Sequence, residues 1–124
     1  MEQKFYICEQ CGSIMTMVKN SGVPMVCCGR KMTELIPGSI DASAEKHTPL
    51  WQVEGREVRV AVGRVLHPMT PEHSIEWVLL QTSQGIQYRC FAPGDTPEAR
   101  FALCEGKVVE AVYAYCDLHG LWKA

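Results

Sequence analysis

Glu57-Val58-Arg59-Val60-Ala61-Val62 alternates, with Val58, Val60 and Val62 on one face and Glu57, Arg59 and Ala61 on the other. A period of two with β-branched residues on the apolar face marks a half-buried strand. Gly63 interrupts the run and Val65 resumes it, which predicts a bend or bulge. Downstream, Ser74-Ile75-Glu76-Trp77-Val78-Leu79-Leu80 reads as a second strand, partly alternating and partly buried on both faces. Ser83-Gln84-Gly85 is a turn, and Ile86, Tyr88 and Cys90 share a face of the strand that follows. Pro93-Gly94-Asp95-Thr96-Pro97 is a loop. Phe101 to Cys104 and Lys107 to Tyr115, joined at Glu105-Gly106, read as a hairpin. No helix is expected beyond a turn near Pro97 to Ala99, and there is no internal repeat. Short strands separated by turn signals predict an all-β chain built on an antiparallel sandwich.

At 124 residues the chain holds one ordinary domain plus a small appendage. A net charge of −2 argues against nucleic acid as partner, since phosphate binding wants a basic face. No apolar stretch is long enough to span a bilayer, so no membrane role is expected. Met1-Glu2-Gln3-Lys4 leads straight into Phe5-Tyr6-Ile7-Cys8 without the apolar core of a signal peptide, which predicts a cytoplasmic protein. Seven cysteines in a reducing compartment read as metal ligands and buried thiols rather than disulfides.

Residues 1–37 form the first expected unit. It has little apolar periodicity but contains Cys8, Cys11, Cys27 and Cys28. So short a piece cannot bury enough surface to fold alone, so a metal must supply the missing free energy. Cys8-x-x-Cys11 is a metal knuckle, in which backbone amides between two thiolates can donate to the sulfurs. Four thiolates make a soft tetrahedral site suited to zinc or to a single iron. A zinc ribbon would repeat the knuckle. Here the second half is an adjacent pair whose side chains diverge if the segment is extended, which predicts an irregular tetrahedron. Pro37-Gly38-Ser39 closes this unit, 38–46 reads as a linker, and 47–124 forms the sandwich.

All four histidines fall in loops or at segment ends. Taken singly, each has an ordinary reading as a linker, turn or cap residue. Together they look built for one ion. His67-Pro68-Met69-Thr70-Pro71-Glu72-His73 is a proline-stiffened loop presenting two imidazoles, and Cys116-Asp117-Leu118-His119 follows a strong strand, with Gly120 permitting a tight exit. With His47 this makes five donors. Four neutral imidazoles and one thiolate around Fe(II) leave a formal charge of about +1 and one open position, to which a small anion would be drawn. A thiolate opposite that position pushes electron density toward it, as in cysteine-ligated haem. Zinc rarely accepts five such ligands, so iron is favoured here.

These motifs, in this order, resemble the desulfoferrodoxins, the two-iron class of superoxide reductases, over essentially the whole chain. Cys8-x-x-Cys11 with Cys27-Cys28 resembles a desulforedoxin module with its rubredoxin-like site. Glu45-Lys46-His47, His67 to His73 and Cys116-x-x-His119-Gly120-Leu121-Trp122 resemble the neelaredoxin-like catalytic domain. The resemblance implies a seven-stranded immunoglobulin-like β-sandwich after the small N-terminal domain, and a homodimer. It implies two non-haem irons per chain. Fe(Cys)4 would sit at Cys8, Cys11, Cys27 and Cys28, and Fe(His)4(Cys) at His47, His67, His73 and His119 with Cys116 axial. The implied reaction is one-electron reduction of superoxide to hydrogen peroxide, a detoxification fed by a rubredoxin-type electron donor. Glu45 and Lys46 would lie on a mobile loop beside the open position. There Lys46 attracts superoxide and helps deliver a proton through water, and Glu45 takes the sixth position after turnover. A flexible ammonium suits that task.

Many relatives carry Asn where this chain has Asp117. A charge there is expected to lower the iron potential modestly, with the backbone N–H groups of Leu118 and His119 the direct donors to Cys116. Cys90 and Cys104 match no ligand role and are expected to be buried thiols. Trp122 is expected to pack near the iron loop. Two other readings compete with the oxidoreductase: an electron carrier that binds no small substrate, and a zinc-stapled interaction module.

Overall fold

Val58, Val60 and Val62 are all buried, as their alternation requires. The computed structural model describes residues 2–124 and divides into two compact units, one ending at Ile36 and the other starting at Pro37.

In the first unit, β1 (Phe5–Ile7) lies between β2 (Ile14–Thr16) and β5 (Thr33–Leu35) in an antiparallel sheet. A two-stranded hairpin, β3 (Val26–Cys27) and β4 (Arg30–Lys31), leaves Cys28 and Gly29 as its two-residue turn. Their φ values of 52° and 72° are those a type I′ hairpin demands. The Cys27–Cys28 pair is therefore not extended. The chain reverses at Cys28, and the two sulfurs come within 4.0 Å rather than diverging.

The second unit opens with one helical turn, α1 (Ala44–His47), on residues read above as linker. Lys46 and His47 donate their N–H groups to the Ser43 carbonyl and Thr48 donates to Ala44. Then come β6 (Pro49–Glu54), β7 (Glu57–Val62), β8 (Ile75–Thr82), β9 (Gly85–Cys90), β10 (Glu98–Ala102), β11 (Val109–Cys116) and β12 (Gly120–Lys123). They form two antiparallel sheets, β10-β7-β6 and β12-β11-β8-β9, and thus a seven-stranded sandwich. Valines of β7, Ala99 and Phe101 of β10, Ile75, Val78 and Leu80 of β8, and Val112, Ala114 and Cys116 of β11 make one buried core. The period-two inward parity 112–114–116 places Cys116 in that core, at the end of its strand.

Three expectations fail here. The hairpin from Phe101 to Tyr115 does not form: β10 pairs with β7 in one sheet, Phe101 opposite Val58, while β11 pairs with β8 and β12 in the other. Glu105-Gly106 thus belongs to a crossover between sheets. The turn near Pro97–Ala99 is instead the start of β10, whereas the bend expected at Gly63 is present at the end of β7. Cys90 and Cys104 are exposed, because β9 is an edge strand and Cys104 lies beyond the end of β10. No helix among the described residues is long and apolar enough to cross a membrane.

Candidate metal centres

The first centre grows from two turns. Gly12 N–H closes the Cys8–Cys11 turn on the Cys8 carbonyl at 2.8 Å, and Cys11 N–H points at Cys8 Sγ at 3.5 Å, the amide-to-sulfur donation expected of a knuckle. The β3–β4 turn brings the other pair, with Cys11 Sγ 3.6 Å from Cys27 Sγ. All four sulfurs lie within 4.8 Å of one another. Tetrahedral bonds of about 2.3 Å would space sulfurs about 3.8 Å apart, so the donor set fits a tetrahedral ion. The thiols are unequal. The Ser13 hydroxyl and backbone lower Cys11 to about 6, and the Cys11 amide lowers Cys8. Cys27 is pushed up to about 12 by sharing protons with the Cys8 and Cys11 sulfurs.

The second centre lies at the end of the sandwich core. His47 ends α1, His67 and His73 come from the loop between β7 and β8, and Cys116 and His119 flank the turn between β11 and β12. The four rings close a square in the order His47, His67, His73, His119. Neighbouring ring centroids are 4.5 to 5.0 Å apart, and neighbouring planes cross at 73° to 88°. Across the diagonal, His47 and His73 are 6.2 Å apart. His47 Nε2 lies 3.1 Å from His67 Nε2 and 3.0 Å from His119 Nδ1. Bonds of about 2.1 Å at right angles would space nitrogens about 3.0 Å apart, against about 3.4 Å in a tetrahedron. The spacing fits a square of four nitrogens.

The outer nitrogens fix the inner ones. His47 Nδ1–H donates to the Ser43 carbonyl at 2.6 Å and His67 Nδ1–H to the Pro68 carbonyl at 2.7 Å. In the neutral rings both Nε2 atoms therefore carry lone pairs, and these face each other. Two acceptors at that distance repel unless a cation lies between them. A proton is disfavoured, because burial lowers His67 to about 4 and lowers His47 as well. His73 Nε2 is buried without a hydrogen-bond partner. A metal ion satisfies all of these atoms at once. Nε2 of His67 and Nδ1 of His119 both face Nε2 of His47, a choice of ring nitrogen the sequence left open.

Cys116 Sγ lies 3.9 Å from His119 Nδ1 and is fully buried. Burial raises its thiol, and the backbone N–H groups of His119 and Leu118 act against that rise, as the sequence reading expected of them. Asp117 clamps the loops together: its carboxylate accepts the Ser74 N–H at 3.0 Å and its own N–H donates to the Ser74 carbonyl at 3.1 Å. Its Oδ1 is 3.9 Å from the Cys116 sulfur. Trp122 is buried as expected, stacked on His47 at 5.1 Å, and its indole N–H donates to the His119 carbonyl at 3.0 Å. This double hold on two of the imidazoles was missed by the sequence reading; the Gly120-Leu121-Trp122 motif was its only signal. Glu45 and Lys46 are exposed on α1, immediately before His47.

The desulfoferrodoxin family profile matches residues 39–124. The chain belongs to the desulfoferrodoxin family. It is 40% identical to a desulfoferrodoxin of Nitratidesulfovibrio vulgaris, over 99% of this chain and 96% of that one. Among solved structures it resembles the superoxide reductase of Treponema pallidum, with TM-score 0.84, 36% identity and coverage of 99% of this chain and 97% of the other. It also resembles the one-iron superoxide reductase of Giardia intestinalis, with TM-score 0.55, 28% identity and coverage of 64% of this chain and 95% of that one. As a desulfoferrodoxin the chain is suited to two non-haem irons, and both donor groups are present: four cysteines in one unit, histidines and a cysteine in the other.

Proposed function

We propose that this desulfoferrodoxin is a superoxide reductase, an oxidoreductase that converts superoxide to hydrogen peroxide with one electron and two protons. The square of four imidazoles closing on the buried Cys116 thiol carries this reading. Such a set leaves one position for a small anion, and when bound the iron supplies the electron. His47, His67, His73, His119 and Cys116 would hold it, while Cys8, Cys11, Cys27 and Cys28 would hold the second iron. The Leu118 and His119 amides stabilise the thiolate that burial disfavours.

Lys46 provides the attraction. It is exposed and directly precedes His47 in the same helical turn, which puts a cation next to the square in sequence. It draws superoxide in and helps pass a proton through water, and Glu45 offers a carboxylate for the open position between turnovers. The chain works as a cytoplasmic homodimer fed by a rubredoxin-type carrier. Five of the seven cysteines serve as ligands in this reading, which suits a reducing compartment, and the dimer and the donor rest on the family resemblance.

Pulse radiolysis tests the activity: the reduced protein is expected to be oxidised in a bimolecular reaction with superoxide, yielding peroxide and no oxygen. A reduced protein left unchanged by the pulse would overturn it. The purely electron-carrying alternative is not favoured, since a carrier needs no open position.

A further inference from the structure

Gly63 stands at the corner where β7 ends, with φ +89°. Two backbone bonds tie this corner to the Glu45–Thr48 segment, and a third closes the corner on itself. Arg64 N–H donates to the Glu45 carbonyl at 2.7 Å, Gly63 N–H donates to the Thr48 carbonyl at 3.2 Å, and His67 N–H returns to the Val62 carbonyl at 3.2 Å. Glu45 and Lys46 are exposed, so these backbone contacts, together with the buried His47 that ends the turn, hold it in place.

The approach is too close for any side chain. A Cβ at position 63 would lie 2.5 Å from the Lys46 carbonyl oxygen and 2.9 Å from the Lys46 carbonyl carbon, and would also run into the Val65 carbonyl oxygen. These are backbone atoms and cannot rotate aside. The comparison with the other glycines is decisive. A Cβ at Gly120 would meet only the flexible tip of Ile40 at 2.9 Å, and the remaining eight glycines have nothing within 4 Å. Gly63 alone lets one stretch of backbone rest on another, and the stretch it carries contains Lys46.

We propose that Gly63 is a positioning residue for Lys46, its missing side chain letting the end of β7 seat the Glu45–Lys46 turn beside the imidazole square. This rests on the reading of Lys46 as the cation that draws superoxide. A Cβ lifts the turn off the β7 corner and moves the ammonium, while the Nδ1–H groups of His47 and His67 keep their hydrogen bonds to the Ser43 and Pro68 carbonyls.

The test compares Gly63→Ala, Lys46→Ala and the double variant in the full iron-loaded chain by pulse radiolysis at several ionic strengths. Gly63→Ala is expected to slow the reaction with superoxide about three- to tenfold and to flatten its salt dependence. The visible absorption of the iron–thiolate centre should stay in place, and the double variant should match Lys46→Ala alone. A slow Lys46→Ala beside an unchanged Gly63→Ala, or a full additional slowing in the double variant, would overturn the proposal. A Lys46→Ala with unchanged rate and salt dependence would overturn the reading of Lys46 itself, and the proposal with it. Should Gly63→Ala fail to fold, amide exchange in the unaltered protein decides. The Arg64 amide is expected to be protected to the same degree as that of Val62, and exchange at the open-chain rate would overturn the seat.

Discussion

The two metal-binding units differ in what holds them together. Between β1 and β5 the described buried apolar residues are Phe5, Cys8 and Met32, and Cys8 is itself a ligand. Cys11 and Cys28 are exposed. The sandwich has a continuous core of twelve buried residues, and its thiolate ligand is one of them. In the first unit the ion takes the place of a core. In the second, the core and the outer hydrogen bonds set the ligands before any ion arrives. The first site should therefore be coupled to folding and the second to geometry.

The sharpest way to break this contrast is to remove one ligand from each unit. Cys8→Ser should unfold the first unit, seen as loss of amide protection in β1, β2 and β5, while β7, β8 and β11 stay protected. Persistence of protection in β1 would refute a metal-dependent fold. Cys116→Ser should do the reverse: the sandwich stays folded, the iron–thiolate absorption disappears, and the rate with superoxide falls by about a hundredfold or more. Melting curves alongside pulse radiolysis would check it.

Smaller effects sharpen the contrast. Lys46→Ala should keep fold and spectrum, slow the reaction about tenfold and remove much of its salt dependence. A pH experiment addresses the preset square. The unfolded chain protonates His67 near its ordinary 6.5, but the folded metal-free chain does so only near 4. Protonation therefore favours unfolding. This contribution to stability is full above about 6.5 and is lost as pH falls toward 4, and His47 shifts in the same direction. The melting temperature of the metal-free sandwich should drop across that window; a flat profile would argue against buried neutral imidazoles.

The smallest effect concerns Asp117. Asp117→Ala removes the acceptor of the Ser74 N–H and should cost about 1–3 kcal/mol. Asp117→Asn keeps an acceptor, so stability should hold and the iron potential should rise slightly. An unchanged potential would mean the charge is screened from Cys116.

Much of the sandwich could be read in advance, because a period of two survives wherever one face is buried, as in β7. The errors lie where that signal ends. β10 and β11 are adjacent in sequence and look like a hairpin, but which sheet a strand joins depends on long-range register, which periodicity does not encode. Ala44–His47 is a single turn, too short for helical periodicity. Cys90 sits on an edge strand, where alternation continues without burial. The donor residues were legible through their motifs. The orientation of the His47 and His67 rings was not, because Ser43 and Pro68 fix it through carbonyls that every residue has. The turn at Cys28 was hidden for a similar reason: a left-handed residue that is not glycine leaves little trace in sequence.

Cys116 and His119 sit on one short turn, with Cys116 paired opposite Gly120 across β11 and β12. They would act as a two-pronged claw on a bound ion: a donor that let go would be kept within a few ångströms of it by the other, while the imidazoles from α1 and from the β7–β8 loop held on. Loss of the ion would then need several strands and loops to part together, and chelator-capture kinetics would read how often they do.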